Sequence, residues 1–170
     1  MKQLQEGYYI DMGGYSSQIV ELTNKFIILK DNNLLYGECR IYPRKDIERH
    51  IESGKLLVLS DDKLYLFVYG TLKKGESLHD LLEGAIYLGD DTVKGKLYTN
   101  GSYPYMFKGN KNVPGEVYEV TPNIYLPIHR IEHGSGYIAE KVKTAKGKQV
   151  LAFYAKDTIN KEYLEEIDVF

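Results

Sequence analysis

Phe67-Val68-Tyr69-Gly70-Thr71-Leu72-Lys73-Lys74-Gly75 is the stretch on which the reading of this chain turns. The run Leu64–Tyr69 is apolar and aromatic, as expected of a buried strand, and it stops at a glycine. A strand that stops this way presents several backbone N–H groups at its end. Such groups converge on an anion or on a carbonyl oxygen. Glycine lets a ligand approach the backbone closely. A tight turn between strand and helix has the same composition, so composition alone leaves both readings open.

Downstream, Ser77 is placed to cap a short helix through Leu82, ended by Gly84. Thr92–Thr99 reads as a strand, and Asn100-Gly101 as a hairpin-type turn. Val113–Val120 is a further strand. Thr121-Pro122-Asn123 opens a helix that runs to about His133, with Gly134 after it. Pro127 lies inside that region, where it removes an N–H donor, so a later helix start is expected. Tyr137–Thr144 and Gln149–Ala155 read as strands around a Lys146-Gly147 turn, and Ile159–Ile167 as a terminal helix.

Upstream, Tyr8–Met12, Gln18–Leu22, Phe26–Lys30 and Leu35–Tyr42 alternate apolar and polar residues and read as strands. Asp31-Asn32-Asn33 is a turn signal between two of them. Lys45–Ser53 reads as a short helix with Ile47 and Ile51 on one face and Gly54 at its C-cap. Leu56–Leu59 is another short strand. The polar break Asp61-Asp62-Lys63 marks a boundary. The expected organisation is a β-rich N-terminal module, residues 1–62, followed by a domain over 63–170. The expected class is α+β, a small mixed β-barrel with short helices.

The 170 residues are 43 % hydrophobic and 27 % charged, ordinary for a globular protein. Residues 1–62 carry 8 Lys/Arg against 10 Asp/Glu, and residues 63–170 carry 14 against 14. Neither part is a basic surface, which argues against a nucleic-acid partner. No apolar run reaches membrane-spanning length, and the first residues lack the apolar run of a secretory signal. One cysteine, Cys39, cannot make an internal disulfide or a cysteine-based zinc finger, and it fits a reducing cytoplasm. The 16 tyrosines fit strand-rich structure or a cavity lined with phenols.

The segment Val68–Gly75 resembles the V-Y-G-T-L-K-x-G signature of the γ-glutamylcyclotransferase-like superfamily, nearest to its γ-glutamylamine cyclotransferase and AIG2-like branch. Further elements resemble it in order: His79 after the signature, Tyr103-Pro104, and the strand Gly115-Glu116-Val117-Tyr118-Glu119-Val120. Glu132 stands at the spacing of the family's catalytic glutamate, and Tyr137 and Phe153-Tyr154 fall at its aromatic positions. The resemblance covers residues 64–156. It implies that Tyr69, Gly70, Thr71 and Leu72 form the substrate loop. It implies Glu132 as acid/base, with Tyr103 and Tyr137 in the substrate pocket. No cofactor is implied. The substrate class is a γ-glutamyl compound, cyclised to 5-oxoproline with release of an amine. Two positions depart from the pattern: His129 stands where an aspartate is usual, and Ile138 and Ala139 follow Tyr137 in place of an arginine.

That chemistry suits these residue types. An ammonium cannot attack a carbonyl until a base takes its proton, and the departing amine must gain one. One carboxylate with a pKa raised by partial burial can do both. Backbone N–H groups stabilise the developing oxyanion. Cyclisation within one molecule needs no nucleophile from the protein.

Other readings stay open on the residues alone. His129-Arg130-Ile131-Glu132-His133 is formally H-x-x-E-H, but Pro127 and Gly134 bracket its helix closely and only a short tail follows; no metal is expected. His129 and His133 are expected on the helix surface or pocket rim. The same fold can bind or modify another small polar or nucleotide-derived signalling molecule. Residues 1–62 can dock a protein partner. Lys73-Lys74 reads as a solvated loop tip or as a pair facing an acidic ligand.

Overall fold

The computed structural model describes residues 4–11, 16–31, 38–53, 55–59 and 63–170. The chain divides into two compact units, Met1–Asp62 and Lys63–Phe170. The expected Asn32-Asn33 turn, the Gly54 cap and Asp61-Asp62 of the polar break lie outside the described residues.

In the first unit, strands β1 (Tyr9–Asp11), β2 (Ser16–Leu22), β3 (Phe26–Asp31), β4 (Cys39–Pro43) and β5 (Leu57–Leu59) form one antiparallel sheet in the order β4-β3-β2-β1-β5. Alternation places Ile27 and Leu29 on its inner face with Ile10 and Ile19. Helix α1 (Arg44–Glu52) adds Ile47 to that core. Between β2 and β3, the Thr23 hydroxyl oxygen accepts from the Lys25 and Phe26 amides, fixing the turn.

The second unit is built on a six-stranded mixed sheet in the order β11-β7-β8-β6-β10-β9, curled into a half-barrel. Its strands are β6 (Leu64–Val68), β7 (Ile86–Thr99), β8 (Pro104–Val120), β9 (Tyr137–Lys143), β10 (Gln149–Ala155) and β11 (Glu165–Ile167). Helix α2 (Pro122–Gly134) joins β8 to β9. β6 runs parallel to β10 and antiparallel to β8, so it is central and buried toward its end, as its apolar run requires. Phe67, Val93, Leu97, Met106, Val117 and Ala152 share its core.

Several expectations are corrected. The segment after Gly70 is a series of tight turns. The amides of Lys73, Glu76 and His79 each donate three residues back, ending in a 3-10 helix at His79–Leu82. Ser77 does not cap it. β7 and β8 extend well beyond Thr92–Thr99 and Val113–Val120, because they pair with each other along most of their lengths. The polar Lys108-Gly109-Asn110 segment is absorbed where the register shifts between Gly95 and Lys96. Helix α2 starts at Pro122, in the first turn where a missing N–H is harmless, and it carries Pro127 inside it. Its left-handed glycine is Gly136 (φ 93°), beyond Gly134. The expected terminal helix is a single 3-10 turn, Lys161–Tyr163, followed by β11, which pairs with the end of β7.

Candidate active site

The end of β6 and the last turn of α2 face one hollow of about 450 Å³. Each residue expected at the site lines it: Tyr69, Gly70, Thr71 and Leu72 from the loop, Tyr103 from the turn before β8, Glu132 from α2 and Tyr137 from β9.

The loop is clamped from several sides. Leu78 N–H donates to the Thr71 carbonyl (2.9 Å), and His79 Nδ1 to the Leu72 carbonyl (3.0 Å). A carbonyl only accepts, so His79 carries its proton on Nδ1. The Glu116 carboxylate, opposite Val68 in β8, accepts from the Lys74 amide (3.0 Å) and the Tyr118 hydroxyl (2.7 Å). Among the described residues, no hydrogen bond from the Gly70, Thr71 or Leu72 amide to another group of the chain is seen. Around this loop, glycine is required at two places for space. A Cβ at Gly70 would lie 2.2 Å from Pro104 Cγ, and one at Gly115 would lie 2.3 Å from the Val68 carbonyl oxygen. Gly70 and Pro104 thus belong to one packing contact, as do Gly115 and the end of β6.

Glu132 is half-buried, and burial pushes its carboxyl up to about 7. Two phenols face it. Tyr69 is held far above its ordinary range by burial and then by the Glu132 charge, and Tyr137 is raised for the same two reasons. Both stay neutral across the range in which Glu132 titrates. Their hydroxyls are engaged: Tyr69 donates to the Phe153 carbonyl (2.9 Å) and Tyr137 to the Pro104 carbonyl (2.8 Å). Tyr137 also stacks on Tyr105, centroids 5.7 Å apart. These two rings therefore form wall and frame of the hollow, with their polar atoms turned to the backbone.

His129 corrects the expectation of a surface or rim residue. It is buried, with its ring against Tyr125, Phe153 and His133. Among the described residues, no group of three or more His, Cys, Asp or Glu side chains is placed to hold a metal ion. Lys73 Nζ donates to the Phe170 carbonyl oxygen, while the Lys74 side chain is exposed. Sequence reasoning missed Tyr105, Ser77, Leu78, Ile131 and Ser135, which also line the hollow. Tyr105 was within reach, since it stands two residues from Tyr103 at the strand period.

The family description "Gamma-glutamyl cyclotransferase, AIG2-like" matches residues 66–168. The chain belongs to this family. A putative gamma-glutamylcyclotransferase of Pyrococcus horikoshii is 43 % identical over 84 residues, which are 49 % of this chain and 72 % of that one. The crystal structure of an uncharacterized protein from the same organism superposes with a TM-score of 0.53 at 33 % identity, covering 62 % of this chain and 86 % of that one. A gamma-L-glutamyl-butirosin B gamma-glutamyl cyclotransferase of Niallia circulans is 37 % identical over 73 residues, 42 % of this chain and 47 % of the relative, so the match spans about half of that enzyme. The gamma-glutamyl cyclotransferase match falls on the second unit, the one that carries the hollow. Among the described residues, no helix is long and apolar enough to cross a membrane.

Proposed function

We propose that this chain is a γ-glutamylcyclotransferase that releases an amine and 5-oxoproline from a γ-glutamyl compound. The observation that carries this reading is the sharing of one hollow by Glu132, raised to about 7, and the loop Tyr69–Leu72. A carboxyl poised near neutrality can take and return a proton with little loss in either direction.

In this reading the loop amides hold the glutamyl part. The Glu132 carboxylate takes a proton from the substrate's α-ammonium. The freed amine attacks the γ-carbonyl carbon, and the C–N bond of the ring forms. The oxyanion of the tetrahedral intermediate is stabilised by backbone N–H groups at the end of β6. Collapse breaks the bond to the leaving nitrogen, which takes the proton back from Glu132, and the carboxylate so freed takes the surplus proton of the ring nitrogen and passes it to the departed amine. No water is consumed, and atoms and protons balance as 5-oxoproline plus the amine as its ammonium. Pre-binding of both reacting ends in one hollow supplies much of the acceleration, because nucleophile and electrophile belong to one molecule. The name of the Niallia circulans relative gives gamma-L-glutamyl-butirosin B, a γ-glutamyl compound, as what that protein acts on, which supports the same substrate class here.

The test is a panel of γ-glutamyl amines and γ-glutamyl amino acids, assayed for 5-oxoproline with wild type and Glu132→Gln. Wild type is expected to release 5-oxoproline from at least one compound. Glu132→Gln is expected to lose at least about 10²-fold in kcat, the usual effect of removing a positioned acid/base. Undiminished turnover by the variant overturns the role of Glu132, and no turnover of any compound by wild type overturns the activity.

A further inference from the structure

Resting on the cyclotransferase reading, we infer that Glu116 is a positioning residue for the reaction: from outside the hollow, its carboxylate holds the Tyr69–Leu72 loop so that the loop amides are aimed at the developing oxyanion.

The aim of an amide is set by its neighbouring carbonyl. In a planar trans peptide the C=O of one residue and the N–H of the next point in opposite directions. Holding a carbonyl therefore aims the amide that follows it. The Gly70 carbonyl accepts from the Lys73 amide (2.9 Å), and the Thr71 carbonyl from the Leu78 amide (2.9 Å). These two bonds set the directions of the Thr71 and Leu72 amides, on residues that line the hollow. Both bonds lie within the segment itself. They give the loop its shape but do not tie it to the sheet.

Glu116 supplies such a tie. Its backbone is the register partner of Val68, the last residue of β6. Its carboxylate accepts from the Lys74 amide, on the far side of the loop (3.0 Å). One residue of β8 thus holds both ends of the segment between them. An amide bond to a carboxylate is charge-assisted, hence stronger than a neutral one. The same oxygen, Oε2, accepts from the Tyr118 hydroxyl, which orients it (2.7 Å). The Tyr118 ring also lies 6.0 Å from the ring of His79, whose Nδ1 donates to the Leu72 carbonyl. The bond from Lys73 Nζ to the Phe170 carbonyl reaches through a flexible side chain and constrains the backbone less. Glu116, Tyr118 and His79 all stand outside the lining of the hollow, so they act through the loop. Donors stabilise an oxyanion well when their direction is fixed before the charge develops. Loss of the Glu116 anchor is therefore felt in the transition state more than in substrate binding.

Reach and charge are separated by two variants, assayed on the γ-glutamyl compound that wild type turns over fastest. Glu116→Gln keeps the length and one acceptor oxygen but loses the charge. Glu116→Asp keeps the charge but is one methylene short of the Lys74 amide. Glu116→Asp and Glu116→Ala are each expected to lose at least about 10-fold in kcat, with KM within about threefold of wild type, as for misaimed oxyanion donors. Glu116→Gln is expected to recover kcat to at least about 5-fold above the Asp variant, the acceptor being restored. Where Glu116→Ala fails to fold, the Gln and Asp pair decides alone. Turnover by Glu116→Asp equal to or above that of Glu116→Gln overturns the inference, as does a loss carried by KM alone; the cyclotransferase reading then stands. Where wild type releases no 5-oxoproline from any compound, that reading fails, and hydrogen exchange of the Lys74 amide decides whether Glu116 anchors the loop. Exchange at least about 10-fold faster in Glu116→Asp than in Glu116→Gln upholds the anchor; a smaller or reversed difference removes it.

Discussion

Glu132 holds its carboxyl near neutrality because α2 carries it into a half-buried position, and the sign of the consequence can be worked out. Its folded pKa of about 7 lies above the ordinary value of 4.5. Between those values the folded state keeps a proton that the unfolded chain releases, so stability falls as pH rises through this window. Above about 7 the full penalty applies, and below 4.5 none does. Glu132→Gln is therefore expected to be more stable than wild type at pH 8, on the order of 1–3 kcal/mol, and equal to it near pH 4. Thermal melts at the two pH values check this. A variant less stable at pH 8 contradicts a buried, uncompensated carboxylate. On the proposed mechanism the same titration is expected to give kcat/KM an acid limb with its midpoint near 7, because in that mechanism Glu132 starts as the carboxylate. Tyr69 and Tyr137, the phenols facing it, remain neutral there and add no second limb.

At the scale of elements, the decisive contact is between the end of β6 and the start of β8. Gly70 leaves room for the Pro104 ring, and the Pro104 carbonyl accepts from Tyr137 at the start of β9. Three elements thus meet around the loop. Gly70→Ala drives a methyl group into a rigid ring, because the Cβ would sit 2.2 Å from Pro104 Cγ. A loss of about 1–3 kcal/mol in stability is expected, as for other overpacked sites. Activity is expected to fall at least about 10²-fold, because a displacement of one ångström in a positioning loop has effects of that size. Denaturant unfolding and 5-oxoproline release measure the two effects, and a variant that is both stable and active shows that the loop is not set by this contact. The short helices belong to the same scale. Ser77 and the 159–167 segment carry helix-like signals, yet each gives only a 3-10 turn. Bonds to Thr71 in the first case, and pairing of β11 with β7 in the second, outweigh local propensity.

At the scale of the molecule, each of the two compact units has its own buried cluster: Ile10, Ile19, Ile27, Leu29 and Ile47 in the first, and the set around Phe67 and Ala152 in the second. All lining residues of the hollow fall in Lys63–Phe170. We propose that residues 63–170 form the catalytic domain, and that residues 1–62 serve another purpose, such as docking a protein partner. A fragment of residues 63–170 is then expected to fold cooperatively and to keep kcat within about threefold of the full chain, a domain with its own core being able to fold alone. Circular dichroism melts and the 5-oxoproline assay check it; an unfolded or inactive fragment assigns residues 1–62 to the catalytic fold.

The sequence by itself determined most of the element order from Leu64 to Ala155, and its family resemblance pointed to residues that line the hollow. The apolar strand stopping at Gly70 and the strand from Gly115 are local signals, set by side-chain type and spacing along the chain, while the glutamate at 132 stood out only through the family resemblance. Only the tertiary structure decided that Glu132 and the loop share one hollow, that His129 turns inward onto Phe153, and that the hydroxyls of Tyr69 and Tyr137 are bound to backbone carbonyls. Those outcomes depend on which strands pair and how the sheet curls, and pairing brings together residues as far apart as Tyr69 and Phe153. No local pattern encodes such a distance; it is fixed when β6 and β10 bury their apolar faces side by side.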